Sequence, residues 1–257
     1  MCRGALAAAL GAIALGSVAH ADDATWASRA QVGYTKTGGN TDTSSANALF
    51  HVAHVVDRWK FLFGVEGLYG STRGETTAQA WDVHFQANYQ FTDRLFWYGA
   101  LRYDDNRFSG FAYQQTTSTG GGYQLVSSDA TKLSAQLGVG VRRLRPEILK
   151  EDSVGAITGV TELAATTDAV LDFAVNFEHA LNKYTKLIAN LAIESGANNT
   201  MTSAGVSLQV KMSEVLSLAA GYQLVRNSQP PPGAGPNTAL TTLNLVYARK
   251  NPKLAPD

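Results

Sequence analysis

An aspartate and a histidine stand two positions apart in the stretch Trp81-Asp82-Val83-His84. On one face of a strand such a pair can exchange protons, and with a nearby serine it would form an esterase-like group. The chain has no Gly-x-Ser-x-Gly elbow, the motif that exposes such a serine. A lipid-modifying enzyme is therefore the weaker hypothesis, and the sequence predicts no catalytic residue and a protein that is not an enzyme.

The remaining histidines give no metal centre. We expect His51 to share a face with His84, and His54 and His179 to lie on the opposite face near strand ends. None of them has a partner acid at a metal-ligand spacing. The sequence thus predicts neither a metal nor a cofactor.

The element that holds Asp82 and His84 changes polarity at nearly every step. Between Thr77 and Phe91 one set of alternate positions is largely apolar and aromatic, and the other is polar or small. A period of two predicts a β-strand with one dry and one wet face. The run is 15 residues long, whereas ordinary strands average roughly 5–6. Such a strand is long enough to cross a bilayer, which needs ~9–11 tilted residues.

The same alternation recurs along the chain in about twelve segments: 25–37, 43–56, 59–70, 77–91, 95–105, 113–126, 132–144, 165–179, 184–195, 200–212, 215–226 and 238–249. Tight connections alternate with mostly longer or less regular ones. We therefore predict an all-β fold, a transmembrane antiparallel up-and-down β-barrel of about twelve strands with short periplasmic turns and longer extracellular loops.

In such a barrel the polar set lines the lumen, and amphipathic rings lie at the two membrane interfaces. The predicted lumen-lining residues are Glu66, Asp82, His84, Arg102, Asp104, Arg142, Asp168, Asp172, Glu178 and Glu194. The predicted aromatic girdle is Trp26, Tyr34, Tyr69, Trp81, Tyr89, Trp97, Tyr103, Tyr222 and Tyr247.

The charges of the lumen face have mixed signs and leave two readings open. They can pair with one another inside a closed barrel, or they can tune a narrow pathway for ions or solutes. Asp82 or His84 with Arg102, and Arg142 with Asp168, are plausible cross-strand pairs. We expect Asp82, His84 and Arg102, with Asp104, Arg142 and Asp168, to line the constriction. Twelve strands lie between eight, which fill with side chains, and sixteen, which leave a channel.

The N-terminus predicts export. Arg3, an apolar run from Leu6 to Val18 and the small-x-small site Ala19-His20-Ala21 form a secretory signal peptide, residues 1–21. Residues 22–257 then form one barrel domain with a short tail, 250–257, in the bacterial outer membrane. The chain has 21 basic and 21 acidic residues, and this balance argues against a nucleic-acid partner.

The outer connections offer further candidates. The stretch "RRLRPEILKED" mixes both signs and leaves two readings open. It can be a solvated loop base, or Arg142, Arg143 and Arg145 can contact lipopolysaccharide phosphates, because guanidinium groups bind phosphate through paired hydrogen bonds. The segment 145–164 can fold inward as a plug or outward as a lid. The segment "SQPPPGAGPN" is predicted to be a stiff loop tip without chemistry.

The stretches "VGYTKTGGNTDTSSANA" and "YDDNRFSGFAYQQTTSTGGGYQL" resemble the YdiY-like family of salt-induced outer-membrane proteins, over nearly all of 26–249. The resemblance implies a porin-like barrel and contact with outer-membrane lipid and the barrel-assembly machinery. Barrels of this kind often end on an aromatic residue that the assembly machinery recognises. In this chain Tyr247 is followed by "ARKNPKLAPD". Either Tyr247 serves as the assembly signal with a tail appended to it, or the tail has its own role.

These observations predict a small channel or salt-induced envelope-stress barrel with a charged lumen. The alternative is a non-conducting barrel that supports envelope integrity.

Overall fold

The computed structural model describes residues 26–37, 43–151, 153, 157–232 and 234–249. The predicted signal peptide and the tail 250–257 lie outside these ranges. The described residues form thirteen β-strands. No helix among them is long and apolar enough to cross a membrane.

Twelve of the strands follow the predicted segments, and six of these are longer than predicted. The strands are β1 (Trp26–Thr37), β2 (Thr43–Val56), β3 (Trp59–Thr72), β4 (Glu75–Gln90), β5 (Leu95–Asn106), β6 (Phe111–Ser127), β7 (Thr131–Glu151), β8 (Ile157–Glu162), β9 (Thr166–Ala180), β10 (Thr185–Gly196), β11 (Thr200–Lys211), β12 (Leu216–Asn227) and β13 (Asn237–Arg249).

Twelve of these strands form a closed antiparallel barrel. Each barrel strand pairs with its neighbours in chain order, except that β7 pairs with β9, and β13 pairs with β1 to join the two ends. The pairing of β6 with β7 completes the ring. Closure leaves no sheet edge along the ring, which a bilayer requires. The predicted transmembrane barrel of about twelve strands is therefore confirmed.

The short turns at one end of the barrel share a local design. In four of these five turns, a side-chain oxygen accepts a hydrogen bond from the backbone N–H three residues later, at distances of 2.9–3.1 Å. The accepting residues are Thr92, Ser128, Asn182 and Ser213. Hydroxyl and amide side chains favour turns because they offer the backbone such partners. By the predicted orientation this is the periplasmic end.

The opposite end differs in two places from the expected long loops. After β3 the chain reverses at Arg73–Gly74, where both residues have positive φ, 54° and 85°, as a two-residue hairpin turn requires. The segment 145–164, left open as a plug or a lid, continues β7 and returns as β8. β8 pairs with β7 alone among the described strands, so this part of the segment is a hairpin that extends the wall.

The alternation of side chains divides the barrel into two faces. Outward residues such as Phe85, Leu101, Val139 and Leu243 are apolar and exposed, as lipid-facing residues are in an isolated barrel. Inward residues are mostly polar, charged or small. The strands therefore present Asp82, His84 and the other candidate groups to the lumen.

Candidate functional site

Acidic and basic side chains occupy adjacent rows of the lumen wall. Glu66, Asp82 and Asp104 are successive partners on β3, β4 and β5. The neighbouring row runs from His51 through Gly64, His84 and Arg102 to Thr116, Arg142 and Asp168. This arrangement places each acid of the first row within reach of a base of the second.

The first contacts between the rows are short. His51 Nε2 lies 3.2 Å from Glu66 Oε1, and His84 Nδ1 lies 3.1 Å from Asp82 Oδ2. The two imidazole rings meet edge to face with their centroids 5.1 Å apart. Gly64 makes this possible, because a Cβ at that position would collide with both rings. Glycine therefore provides the space for the histidine pair.

Arg102 links one side of the lumen to the other. Its guanidinium lies 2.6 Å from Asp104 Oδ1 on its own strand, and 3.3 Å from Glu194 Oε1 on β10. The strands β6, β7 and β9 lie between β5 and β10. Thr116 also donates to Glu194, at 2.9 Å. This contact across the lumen marks a constriction.

A second contact lies beside the first and was missed by the sequence analysis. The Tyr98 hydroxyl donates to Asp172 Oδ2 at 3.1 Å, and the Ser118 hydroxyl donates to the same oxygen at 2.8 Å. Gly138 gives room for the Tyr98 hydroxyl, which a Cβ there would strike. Tyr98 is fully buried. The alternation of β5 contains the signal, because Tyr98 has the same parity as Arg102.

Arg142 is enclosed by the outer connections. Its side chain has no exposed surface, and it donates to the main-chain oxygens of Glu194, at 3.4 Å, and of Asn199. The Glu194 carboxylate is 4.0 Å away. The expectation that Arg142 contacts lipopolysaccharide is wrong, because the group is inside the barrel and sealed from lipid. Arg145 reaches Glu162 at 2.9 Å and lies over the Tyr113 ring.

Asp168 completes this enclosed network from the rim of β9. Its carboxylate accepts hydrogen bonds from the main-chain N–H of Asn198, at 3.2 Å, and from the Asn198 side chain. Asn199 Nδ2 donates to Asn227 at 2.7 Å, and Asn199 Oδ1 accepts from the N–H of Gln229 at 3.2 Å. The network therefore fixes the connection between β10 and β11 against the start of the connection between β12 and β13.

The described part of the connection between β12 and β13, residues 228–232 and 234–236, extends across the outer mouth. A Cβ on Gly110 would lie 2.7 Å from Ala234 Cβ and 3.0 Å from Pro231 Cδ. Gly110 lies between β5 and β6. Counted around the ring, β12 lies five strands from β6 in one direction, and β13 lies five strands from β5 in the other direction. The contact therefore joins opposite sides of the mouth, and we call residues 228–232 and 234–236 the cross-mouth loop.

The structure places all ten predicted lumen residues on the inward face. Cα register sets His84 opposite Arg102 and Arg142 opposite Asp168, as proposed. The short contacts of these groups nevertheless run elsewhere: His84 to Asp82, Arg102 to Asp104 and Glu194, Asp168 to Asn198. Glu178 pairs with Lys186 at 2.9 Å. Register was not predictable from one sequence, and neither were these partners.

The predicted girdle residues face outward and form two groups with one member between them. Trp81 packs on Tyr103 at 5.2 Å near the outer end. Tyr89 packs on Trp59 at 5.0 Å near the turns; Trp59 was not in the predicted set. Tyr222 lies near the middle of β12. The other predicted members lie toward one end or the other of their strands: Trp26, Tyr34, Tyr69, Trp97 and Tyr247.

A closed antiparallel barrel with an apolar outer band, aromatic residues toward its ends and a charged interior defines a transmembrane β-barrel, the fold of bacterial outer-membrane proteins. Residues 30–248 match the family described as "Protein of unknown function, DUF481". The chain belongs to this family, and the resemblance stated from the sequence is confirmed.

One curated relative is the uncharacterized protein YdiY of Escherichia coli strain K12. It is 23% identical over 222 residues, which cover 84% of this chain and 80% of the relative. Among solved structures, the translocator domain of the autotransporter NalP from Neisseria meningitidis is similar, with 13% identity, a TM-score of 0.48 and coverage of 86% of this chain and 87% of that one. The NanC porin has 11% identity, a TM-score of 0.47 and coverage of 88% and 100%.

Proposed function

We propose that this protein is an outer-membrane channel for ions or small hydrophilic solutes. One observation carries the proposal: water reaches the charged groups of the lumen. The side chains of His51, Glu66 and His84 are 38%, 35% and 33% exposed, although they point into the barrel. A sealed interior would enclose its charges completely, as it encloses Arg142. A wet, charge-lined interior suits ion passage.

Export by the signal peptide precedes insertion, and the channel also has a closed state. Residues 1–21 direct the chain across the inner membrane and are removed there, which N-terminal sequencing of the membrane-inserted protein tests. The cross-mouth loop closes the outer end, so passage requires it to move away from Gly110. The constriction between Arg102 and Glu194 then selects the ions that pass.

Single-channel recording in a planar bilayer tests the channel. Refolded wild-type protein should give reproducible current steps, and Arg102→Glu should shift the reversal potential toward cation preference, because it reverses a charge at the constriction. Arg143→Glu is the matched control, since Arg143 is exposed and faces outward on β7. Arg102→Gln provides a milder change if Arg102→Glu fails to fold. A silent bilayer with folded barrel, shown by heat-modifiable migration, would exclude the proposal.

The second candidate is a non-conducting barrel that supports envelope integrity. The contact of the cross-mouth loop with Gly110 and the enclosed Arg142 network favour it, because both tie the outer connections together. A salt-induced role belongs to this candidate as well. Deletion of the gene should then sensitise cells to detergent at high salt, and the Arg102→Glu variant should restore resistance as well as the wild type does.

We also propose that the protein is not an enzyme. Among the described residues, the His84 ring contacts Asp82 and His51, and no serine hydroxyl lies within hydrogen-bonding distance of it. Folded protein should leave phospholipid and lipopolysaccharide vesicles intact over hours. Hydrolysis that disappears in His84→Ala, with folding retained, would reverse this conclusion.

A further inference from the structure

The outward face of β6 interrupts the apolar band of the barrel. In the middle of this strand, all of which the structure describes, no outward residue has a large apolar side chain. Thr117, for example, pairs with Leu101 on β5 and with Val141 on β7, and these two neighbours are apolar and exposed. The strand therefore has a polar strip at the depth where its neighbours face lipid tails. We define the polar strip as Gln115, Thr117, Thr119 and Gly121.

Two side chains of the polar strip lack hydrogen-bond partners. Thr119 Oγ1 donates to the main-chain oxygen of Tyr98 at 2.9 Å. Gln115 and Thr117, by contrast, make no hydrogen bond through their side chains to any described residue. Lipid tails offer no hydrogen bonds, and a polar group that faces them without a partner costs free energy. A protein surface with its own donors and acceptors would remove this cost.

Gly121 leaves a groove in the outward surface of the barrel. A Cβ at Gly121 would meet nothing nearer than the main-chain oxygen of Phe96, at 4.0 Å. Packing within the barrel therefore does not require glycine here, whereas a Cβ at Gly122 would strike the Phe96 ring. The groove has a volume of about 240 Å³. Its outward lining residues are Leu95, Gly121, Tyr123, Ala135, Leu137 and Phe173.

Opposite charges flank the polar strip toward its outer end. Arg143 is exposed on β7, and Asp105 lies on β5 as the register partner of the outward Trp81. Neither of these charges forms an ion pair with a described residue. Arg145 and Arg107 lie nearby but contact side chains of β8 and β4. The two sides of the strip therefore offer charges of opposite sign to a partner.

We propose that the protein forms a dimer in the membrane through the outward face of β6, with a second copy of the same chain as the partner. Copies of an outer-membrane barrel insert in the same direction, so the two-fold axis runs along the membrane normal. Such an axis at β6 sets the β7 side of each copy against the β5 side of the other. Arg143 of one copy then approaches Asp105 of its partner, twice in the dimer.

A second copy fits the polar strip better than a lipid does. Glutamine and threonine side chains both donate and accept hydrogen bonds, so the strip is complementary to itself. An acyl chain can fill the groove at Gly121 but offers no partner to Gln115 or Thr117. Small residues and polar side chains are also what brings protein segments together within a bilayer. Each copy keeps its own lumen, so the inference goes beyond the proposed channel and does not depend on conduction.

Sedimentation velocity of the full-length mature protein, folded in detergent micelles, measures the oligomeric state. Wild-type protein should sediment as a dimer. Gly121→Leu should raise the dimer dissociation constant by about tenfold or more, because the side chain fills the groove. Gly67→Leu is the matched control, since Gly67 faces outward on β3 and the space around an added Cβ is open there as well. Heat-modifiable migration establishes folding for each variant.

Cross-linking in outer membranes tests the position of the interface. Cys2, the only cysteine of the chain, lies in the predicted signal peptide, so each single-cysteine variant has one defined thiol. Thr117→Cys should give cross-linked dimers with a short bifunctional maleimide. Thr241→Cys should not, because Thr241 is exposed on β13, on the opposite side of the ring from β6.

Three results would overturn the proposal: a wild-type monomer, equal dissociation constants for wild type and Gly121→Leu, or equal cross-linking from the two cysteine variants. A monomer that retains lipid in the groove would assign the groove to an acyl chain instead. Because neither assay reads a current, their failure and the failure of the channel proposal are separate results.

Discussion

Arg102 on β5 and Glu194 on β10 meet at 3.3 Å, although three strands of the barrel wall separate them. The pair makes the lumen narrow at this level and, together with the Thr116–Glu194 and Tyr98–Asp172 contacts, joins two walls across it. Its geometry follows from barrel closure, since no local segment of sequence brings these residues together.

A double-mutant cycle should detect this link as coupling between the two sites. Arg102→Ala and Glu194→Ala should each destabilise the barrel, and their combination should cost less than the sum, with a coupling energy of ~0.5–3 kcal/mol. Urea unfolding from lipid vesicles, followed by tryptophan fluorescence, measures it. Additive effects would mean that the contact contributes nothing to stability.

Shortening the cross-mouth loop should open the barrel. Replacement of residues 230–235 by two glycines removes both partners of Gly110, so open probability or conductance should rise several-fold in planar bilayers. The matched control shortens β8 and the part of β7 that pairs with it, because β8 pairs with β7 alone among the described strands. Equal currents from wild type and the shortened loop would show that the loop does not restrict passage.

Gly138 should be intolerant of any side chain. A Cβ there would strike the Tyr98 hydroxyl and the main-chain oxygen of Thr119, so Gly138→Ala should destabilise by ~1–3 kcal/mol through overpacking. Gly67→Ala is the control, because the space around an added Cβ at Gly67 is empty. The control should stay within ~0.5 kcal/mol of wild type. Identical unfolding midpoints for both variants would show that a Cβ at Gly138 is not crowded by Tyr98 and Thr119.

Stability should fall as the pH rises through the titration of Glu147. Burial, followed by repulsion from Glu162 and Asp105, raises the pKa of this carboxyl against the opposing effect of Arg107. The folded state then holds a proton that the unfolded state has released, so stability is highest below the ordinary glutamate pKa and decreases above it. The residue lies where β7 pairs with β8, outside the barrel ring.

Glu147→Gln should therefore be more stable than wild type at pH 7 and equal to it near pH 4. Thermal melts across this range in one detergent provide the measurement. A wild-type protein that gains stability over the variant as the pH rises would contradict the assignment.

The alternation of polarity was sufficient to predict the barrel and the side on which each charge lies. The same parity would have placed Tyr98 in the lumen, had it been applied to every residue rather than to the obvious polar ones. The contact partners of these side chains could not be predicted in the same way. Arg102 meets Glu194, and Asp168 meets Asn198, because of register and loop conformation, which are set by contacts between segments far apart in sequence.

The position of the cross-mouth loop could not be predicted from its composition either. Its prolines and glycines predicted a stiff turn-rich tip, and the structure places it against Gly110 on the far side of the mouth. Composition describes how a loop can bend, but the surface it rests on depends on the width and tilt of the whole barrel.

The hairpin of β7 and β8 extends the wall on one side only, which leaves the outer rim uneven. In an intact cell with the predicted orientation, this ridge lies on the outer side, within reach of antibodies, phage and proteases. An epitope placed between β7 and β8 would therefore report from the outside whether the barrel has been inserted, and which way it faces, without lysing the cell.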